Sequence, residues 1–189
     1  NDKDRKIINE ILNYPDDCAG SIMTTEFIDL KENMTVSQAF DKIKKIGLKK
    51  ETVYNCYVLD QNRKLLGVID IKDLLIAGRD EVIKDLMDEN VVTVNTLDDK
   101  EDVANTLAKY DYVALPVVDK ENRLVGIVTV DDAIDVIQDE ASEDFEKMAA
   151  ISPNEDGYYK TSVLTHAKNR IVWLLFLMFS SIITGAVIT

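Results

Sequence analysis

One stretch of this chain occurs twice, and that repetition limits what it can fold into. DQNRKLLGVIDIKD at Asp60–Asp73 lies over DKENRLVGIVTVDD at Asp119–Asp132, at a constant offset of 59 residues. Upstream the offset is 64, from Met23 to Met87, so the first copy carries a five-residue insertion near Leu48 to Thr52. A repeat of this period makes each copy one supersecondary unit. A unit of about 60 residues buries a core poorly by itself, so two are expected to pack as one module.

Hydrophobic spacing gives each copy the same order of elements. In the first, Phe27-Ile28-Asp29-Leu30 predicts a strand, and Val36, Ala39, Phe40, Ile43 and Ile46 predict one apolar face of a helix over 35–46. Strands follow at 53–59 and 65–70 around the turn Asp60-Gln61-Asn62-Arg63, and then a helix at 71–76. In the second, strands are predicted at 91–94, 114–118 and 124–128, with a helix over 98–109 and a long helix from Asp131. The fold class is α+β, built from two strand–helix–strand–strand–helix repeats.

The last helix has two unlike faces. Ile134, Ile137, Ala141, Phe145 and Met148 recur at helical spacing, while Asp131, Asp132, Asp135, Asp139, Glu140, Glu143, Asp144 and Glu146 fill the other side. Like charges three or four apart on a helix each cost about 0.2–0.5 kcal/mol. Asp132, Asp135, Asp139 and Glu143 form such a ladder. It is either a solvated face or a place where a cation sits, and carboxylates are the ligands that Mg2+ and Ca2+ prefer.

The net charge of −13 excludes a nucleic-acid surface, which needs clustered Lys and Arg. His166 is the only histidine, which excludes His-rich zinc sites and disfavours a histidine-based triad. Cys18 and Cys56 lack CxxC spacing and point to a reducing compartment. No phosphate loop or nucleophile–base pair appears in the sequence, so an enzyme is not expected. Ile171 to Thr189 holds no charged residue over 19 positions. At about 1.5 Å per residue a helix of that length nearly crosses the hydrocarbon core of a bilayer, which predicts a membrane span; a buried core helix is the alternative. Lys160, His166, Lys168 and Arg170 precede it, which places residues 1–170 in the cytoplasm by the positive-inside rule. Residues 1–13 carry Ile7, Ile8, Ile11 and Leu12 as the apolar face of a helix that Tyr14-Pro15 ends, so the chain is expected to begin inside a longer protein.

Ile22-Met23-Thr24, the LLGVIDIKD run and the LPVVDKENRLVGIVTVDD run resemble a pair of CBS domains. YPDDCAGSIMT at Tyr14–Thr24, YDYVALPVVD at Tyr110–Asp119, VDDAIDVIQDEASEDFEKMAAI at Val130–Ile151 and the apolar segment after Arg170 resemble MgtE-type magnesium channels. That resemblance implies a division of the chain: the end of a helical N domain (1–15), a first CBS repeat (20–85), a second (86–148), a linker with a plug helix (149–170, the helix near 155–169) and the first transmembrane helix (171–189). It implies a homodimer in the bacterial plasma membrane, completed by the N domain and the remaining channel helices. It also implies a function. Cytosolic Mg2+, which is regulator as well as transported ion, binds acids between the N domain, the CBS pair and the plug helices and closes the pore.

Carried over by position, Asp132 and Asp135 meet ions near Gly20, Glu143 and Asp144 meet ions toward the pore, and Glu101 and Asp111 form an outer site. The alternative function is an adenine-nucleotide-sensing CBS module regulating another membrane transporter. Its ATP-binding positions fall on Asn55, Lys72, Asp73, Tyr112 and Thr129. In the second copy Thr129 and Asp132 keep the family's hydroxyl–carboxylate pair for a ribose. In the first, Asp70 replaces the hydroxyl residue, and Asn55 stands where ATP-binding members have Tyr.

Overall fold

In the computed structural model, residues 14–148 and 163–188 are described; side chains at 146, 163–170, 172–173 and 186–188 are not. The chain divides into two compact units, 1–136 and 137–189.

The first unit contains both repeats. A short helical turn, α1 (Ala19–Ile22), precedes β1 (Ile28–Lys31), α2 (Val36–Ile46), β2 (Asn55–Leu59), β3 (Leu65–Asp70) and α3 (Ile71–Ile76). A second turn, α4 (Ile83–Leu86), opens the other copy, followed by β4 (Val94–Asn95), α5 (Lys100–Tyr110), β5 (Ala114–Val118), β6 (Leu124–Thr129) and α6 (Val130–Met148). Each copy makes a three-stranded sheet, β1-β2-β3 or β4-β5-β6. In each, the first strand pairs parallel to the second through a helical crossover, and the second pairs antiparallel to the third through a hairpin.

Local chemistry accounts for the boundaries. Thr35 and Gln38 form a reciprocal capping box at the start of α2, and the Asp99 carboxylate caps α5 through the Glu101 N–H. The two hairpin turns are alike. Asp60 Oδ1 accepts from the Asn62 and Lys64 amides, and Asp119 Oδ1 accepts from the Glu121 and Arg123 amides. Arg63 (φ 65°) and Asn122 (φ 61°), at equivalent positions, take the left-handed conformation that closes the turn.

The predicted strand over 91–94 shrinks to Val94–Asn95. Asp88 is paired to Val68 of β3, in the other repeat, by backbone bonds of 2.8 and 2.9 Å. The chain must then cross to β5, so Val91 and Val92 bridge the repeats and cannot run along β5.

The openings of the two copies are exchanged. Thr24 pairs with Ile127 of β6, and Met23 lies in the core of the second repeat with Val103, Leu107, Leu115 and Val128. Reciprocally, Ile83, Leu86 and Met87 pack with the first repeat's core around Ile28, Val58 and Leu74. Gly126 and Gly67 admit the two methionines: a Cβ would sit 2.7 Å from Met23 Sδ at one and 2.9 Å from Met87 Sδ at the other. Between the repeats, Phe27, Tyr57, Leu59 and Leu65 meet Ala114, Val118, Leu124 and Ile127. Burying each large apolar side chain there contributes about 1.5–3 kcal/mol.

The second unit begins at Ile137, within α6, and contains α7 (Val163–Ile188). The expected linker and most of the expected plug helix lie outside the described residues, as does the expected helix over 1–13. From Val163 onward α7 is one helix with no break near Arg170, where the sequence separates plug from span. Among the described residues no helix is long and apolar enough to cross a membrane. The stretch of α7 with described side chains, 174–185, is too short for that; it exposes Leu174, Leu175, Phe176, Leu177, Met178 and Phe179 on every side.

Candidate functional site

A cleft of about 400 Å3 opens between the repeats, at the edge where β2 and β3 begin and end. That volume lies in the range of small-molecule sites. The antiparallel register puts Asn55 directly opposite Asp70, and Asn55 Nδ2 donates to Asp70 Oδ1 at 2.6 Å. Two residues on, in the first turn of α3, Lys72 Nζ reaches Asp70 Oδ2 at 2.9 Å. The hydrogen bond to Asp70, with the charges of Asp70 and Asp73, raises the Lys72 ammonium above its usual range. Asp73 follows on α3. The second repeat supplies Asp111, Tyr112 and Val113, together with Asp88, Asn90, Val91 and Val92 from the stretch after α4.

Tyr112 stacks on Tyr110, with ring centroids 5.7 Å apart. Asp111 ends α5 in the left-handed conformation (φ 54°, ψ 34°), which turns the chain toward the cleft. Tyr57, on the wall, is 1% exposed, and its hydroxyl has no hydrogen-bond partner among the described residues.

Four of the five nucleotide positions expected from the sequence, Asn55, Lys72, Asp73 and Tyr112, thus share one cleft. Thr129 does not line it. It belongs to the second repeat, where it is buried and its Oγ1 donates to Asp132 Oδ2 at 2.5 Å. The Thr129 amide points at the same oxygen at 3.4 Å, so Asp132 closes the N-terminus of α6 as a reverse cap. Sequence reasoning missed Asp88 and Asn90, which follow the opening turn of the second copy and are not among the positions carried over from the resemblance.

The expected metal ligands are dispersed. Gly20 sits in α1, its N–H donating to Thr96 O at 2.9 Å and its Cα beneath the Tyr14 ring. Its neighbour Ala19 shares a core with Ala133 and Val136, so Gly20 and the first turns of α6 border the same packing. Asp132 is half-buried and Asp135 exposed. Glu143 pairs with Lys147 at 2.8 Å, and Asp144 is exposed. Glu101 lies in the first turn of α5 and Asp111 just beyond its last, about 15 Å apart by helical rise, so one protomer does not bring them together. Among the described residues no three His, Cys, Asp or Glu side chains converge on a common point. These acids suit a hydrated Mg2+ held by one or two carboxylates, and not a closed cage.

Comparison with known proteins agrees with the architecture. The model of the CBS domain matches residues 19–80 and 83–139. The chain is 42% identical over 182 residues to the magnesium transporter MgtE of Enterococcus faecalis, covering 96% of this chain and 40% of that protein. It spans about two fifths of the length of the curated relatives it matches. The crystal structure of the soluble part of a magnesium transporter superposes with a TM-score of 0.70 at 48% identity, over 71% of this chain and 52% of that one. The cytosolic domain of the Mg2+ channel MgtE in complex with ATP superposes with a TM-score of 0.70 at 40% identity, over 72% and 55%. Relatives matched along nearly the whole chain are transporters, in keeping with the expectation of a module that is not an enzyme. The two matched segments coincide with the two sheets and their helices, and the chain belongs to the CBS domain family, as a tandem pair similar to that of the MgtE magnesium transporters.

Proposed function

We propose that this chain is the Mg2+-sensing and gating region of a magnesium channel, which closes the pore when cytosolic Mg2+ is high. The observation that carries the reading is α6. It starts inside the packed core of the second repeat, through Ala133 and Val136, and presents Asp131, Asp135, Asp139 and Asp144 to solvent. A helix that is anchored at one end and carries eight acids against one lysine resists compaction until divalent ions screen it. Because no metal cage forms among the described residues, each ion is shared: Asp132 and Asp135 with the N domain near Gly20, Glu143 and Asp144 with the pore end, Glu101 and Asp111 with a neighbouring surface. Exposed Leu75 and Ile76, adjacent on α3, are apolar side chains that suit a partner in a homodimer.

The uncharged sequence from Ile171 and the apolar side chains exposed over 174–179 support a span of the bacterial plasma membrane, with residues 1–170 on the cytoplasmic side. The test is titration of the detergent-solubilised chain with MgCl2 at constant ionic strength, for the wild type and for Asp132→Asn combined with Asp135→Asn. Binding in the wild type that the double variant loses, with an unchanged circular dichroism spectrum, supports the sensor; equal binding by both removes α6 as the sensing element.

A second reading is favoured by the cleft. Asn55, Lys72, Asp73 and Tyr112 line one cavity, and the similar cytosolic domain of MgtE holds ATP. On this reading an adenine nucleotide or nucleoside bound between the repeats regulates the attached transporter.

A further inference from the structure

We infer that Asp70 is the specificity-determining residue of the cleft between the repeats, and that it makes the cleft select an uncharged nucleoside over a nucleoside polyphosphate. The inference rests on the second reading above, that an adenine compound enters this cleft. The chain contains its own comparison. Asp70 and Asp73 are equivalent, at the offset of 59, to Thr129 and Asp132. In the second repeat the hydroxyl donates to the carboxylate, and the pair carries one negative charge. In the first repeat the hydroxyl is replaced by a second carboxylate, and a different network has grown around it.

Both oxygens of Asp70 are engaged, one by Asn55 Nδ2 at 2.6 Å and one by Lys72 Nζ at 2.9 Å. Lys72 is the cation on the cleft wall among the lining residues, and it already has its counter-ion. A phosphate chain entering here gains no unpaired cation and meets the carboxylates of Asp73, Asp88 and Asp111 that line the same cavity. An uncharged nucleoside meets none of that cost. It keeps the Tyr112 ring for stacking and the Asp73 carboxylate as an acceptor for ribose hydroxyls. Asn55 reinforces the arrangement, because it fixes the Asp70 carboxylate at the sheet edge in the cross-strand position.

The experiment is calorimetric titration of the full chain in detergent micelles with adenosine and, separately, with sodium ATP, for the wild type, Asp70→Thr and Asp70→Asn. Asp70→Thr rebuilds the second repeat's arrangement; Asp70→Asn keeps shape and removes charge. The expected result is that wild type binds adenosine more tightly than ATP. Both variants then tighten ATP about tenfold, while adenosine changes less than threefold. Adding Lys72→Ala to Asp70→Thr cancels the gain, because the released ammonium is what meets the phosphates. If adenosine and ATP both bind and their affinity ratio is the same in all three proteins, the role of Asp70 is overturned and the nucleoside reading stands. Wild type preferring ATP also overturns the role of Asp70, while leaving an adenine compound in the cleft. If neither compound binds any of the three, although each melts cooperatively, the nucleoside reading falls and the inference with it.

Discussion

Replacing Gly126 with alanine drives a methyl group into the exchanged opening of the first repeat. The added Cβ lies 2.7 Å from Met23 Sδ, 2.9 Å from Met23 Cγ and 2.9 Å from the Thr24 carbonyl oxygen. The methionine can swing aside, since its side chain is long and adaptable. The carbonyl cannot, because it accepts from the Ile127 amide at 2.9 Å while the Thr24 amide donates to Ile127 O at 2.8 Å. Relief therefore needs the Thr24–Ile127 pair to open or the strand to shift, and overpacking of this kind costs about 1–3 kcal/mol. Hydrogen exchange on the full chain reads the cost locally, at the Thr24 and Ile127 amides. Since about 1.4 kcal/mol is a factor of ten, these amides are expected to exchange about five to a hundred times faster in Gly126→Ala. The Val68 and Asp88 amides, which form the equivalent pair at Gly67, serve as the internal control and stay as in the wild type. In Gly67→Ala the pattern inverts, because that Cβ lies 2.8 Å from Asp88 O. Unchanged exchange at Thr24 and Ile127, or acceleration at Val68 and Asp88 instead, would refute the exchanged packing.

Two further outcomes follow from particular groups. Burial, helped by the charge of Asp70, pushes the Cys56 thiol from 9.0 up to about 12, and burial also raises the Tyr57 hydroxyl. Between pH 9 and 12 the unfolded chain therefore binds fewer protons than the folded one, so stability falls as pH rises through that window; denaturation midpoints at pH 8 and pH 10.5 check it, and Cys56→Ala flattens part of the slope. Leu177→Lys places a charge among the exposed apolar side chains of α7 and is expected to lower membrane insertion by about 2.5–3.5 kcal/mol, measured with a glycosylation reporter; no loss would mean that α7 does not enter the hydrocarbon core.

Much of this architecture is legible in local sequence. The offset of 59 aligns hairpin with hairpin, and the aspartates at 60 and 119 make the same turn with the same two amides. The apolar spacing over 36–46 gives α2, and the acidic pattern after Val130 gives α6. The reason is physical: turn chemistry, capping and amphipathic period act over a few residues, so their signals sit together in the chain. Of the five nucleotide positions that the resemblance implies, Asn55, Lys72, Asp73 and Tyr112 line the cleft and Thr129 does not.

Tertiary structure alone decided the rest. Two glycine-bearing strands of like apolar pattern, at Gly67 and Gly126, are open to Met23, and nothing in its own neighbourhood says which one it will cover. Only the pairing of whole repeats makes it Gly126 and leaves Gly67 to Met87. The same exchange carries Asp88 and Asn90 to the cleft, and it commits Val91 and Val92 to bridging where their composition predicts a strand. The fate of individual charges was also decided in space. Asp70 looks only like a carboxylate in place of a hydroxyl residue, yet the register of β2 against β3 gives it Asn55, and α3 gives it Lys72. Asp132 looks like one rung of an acidic ladder, yet one of its oxygens closes the helix on Thr129. Sequence determines which elements form because those forces are local; which copy each element joins, and which partner each carboxylate finds, depends on contacts between residues tens of positions apart.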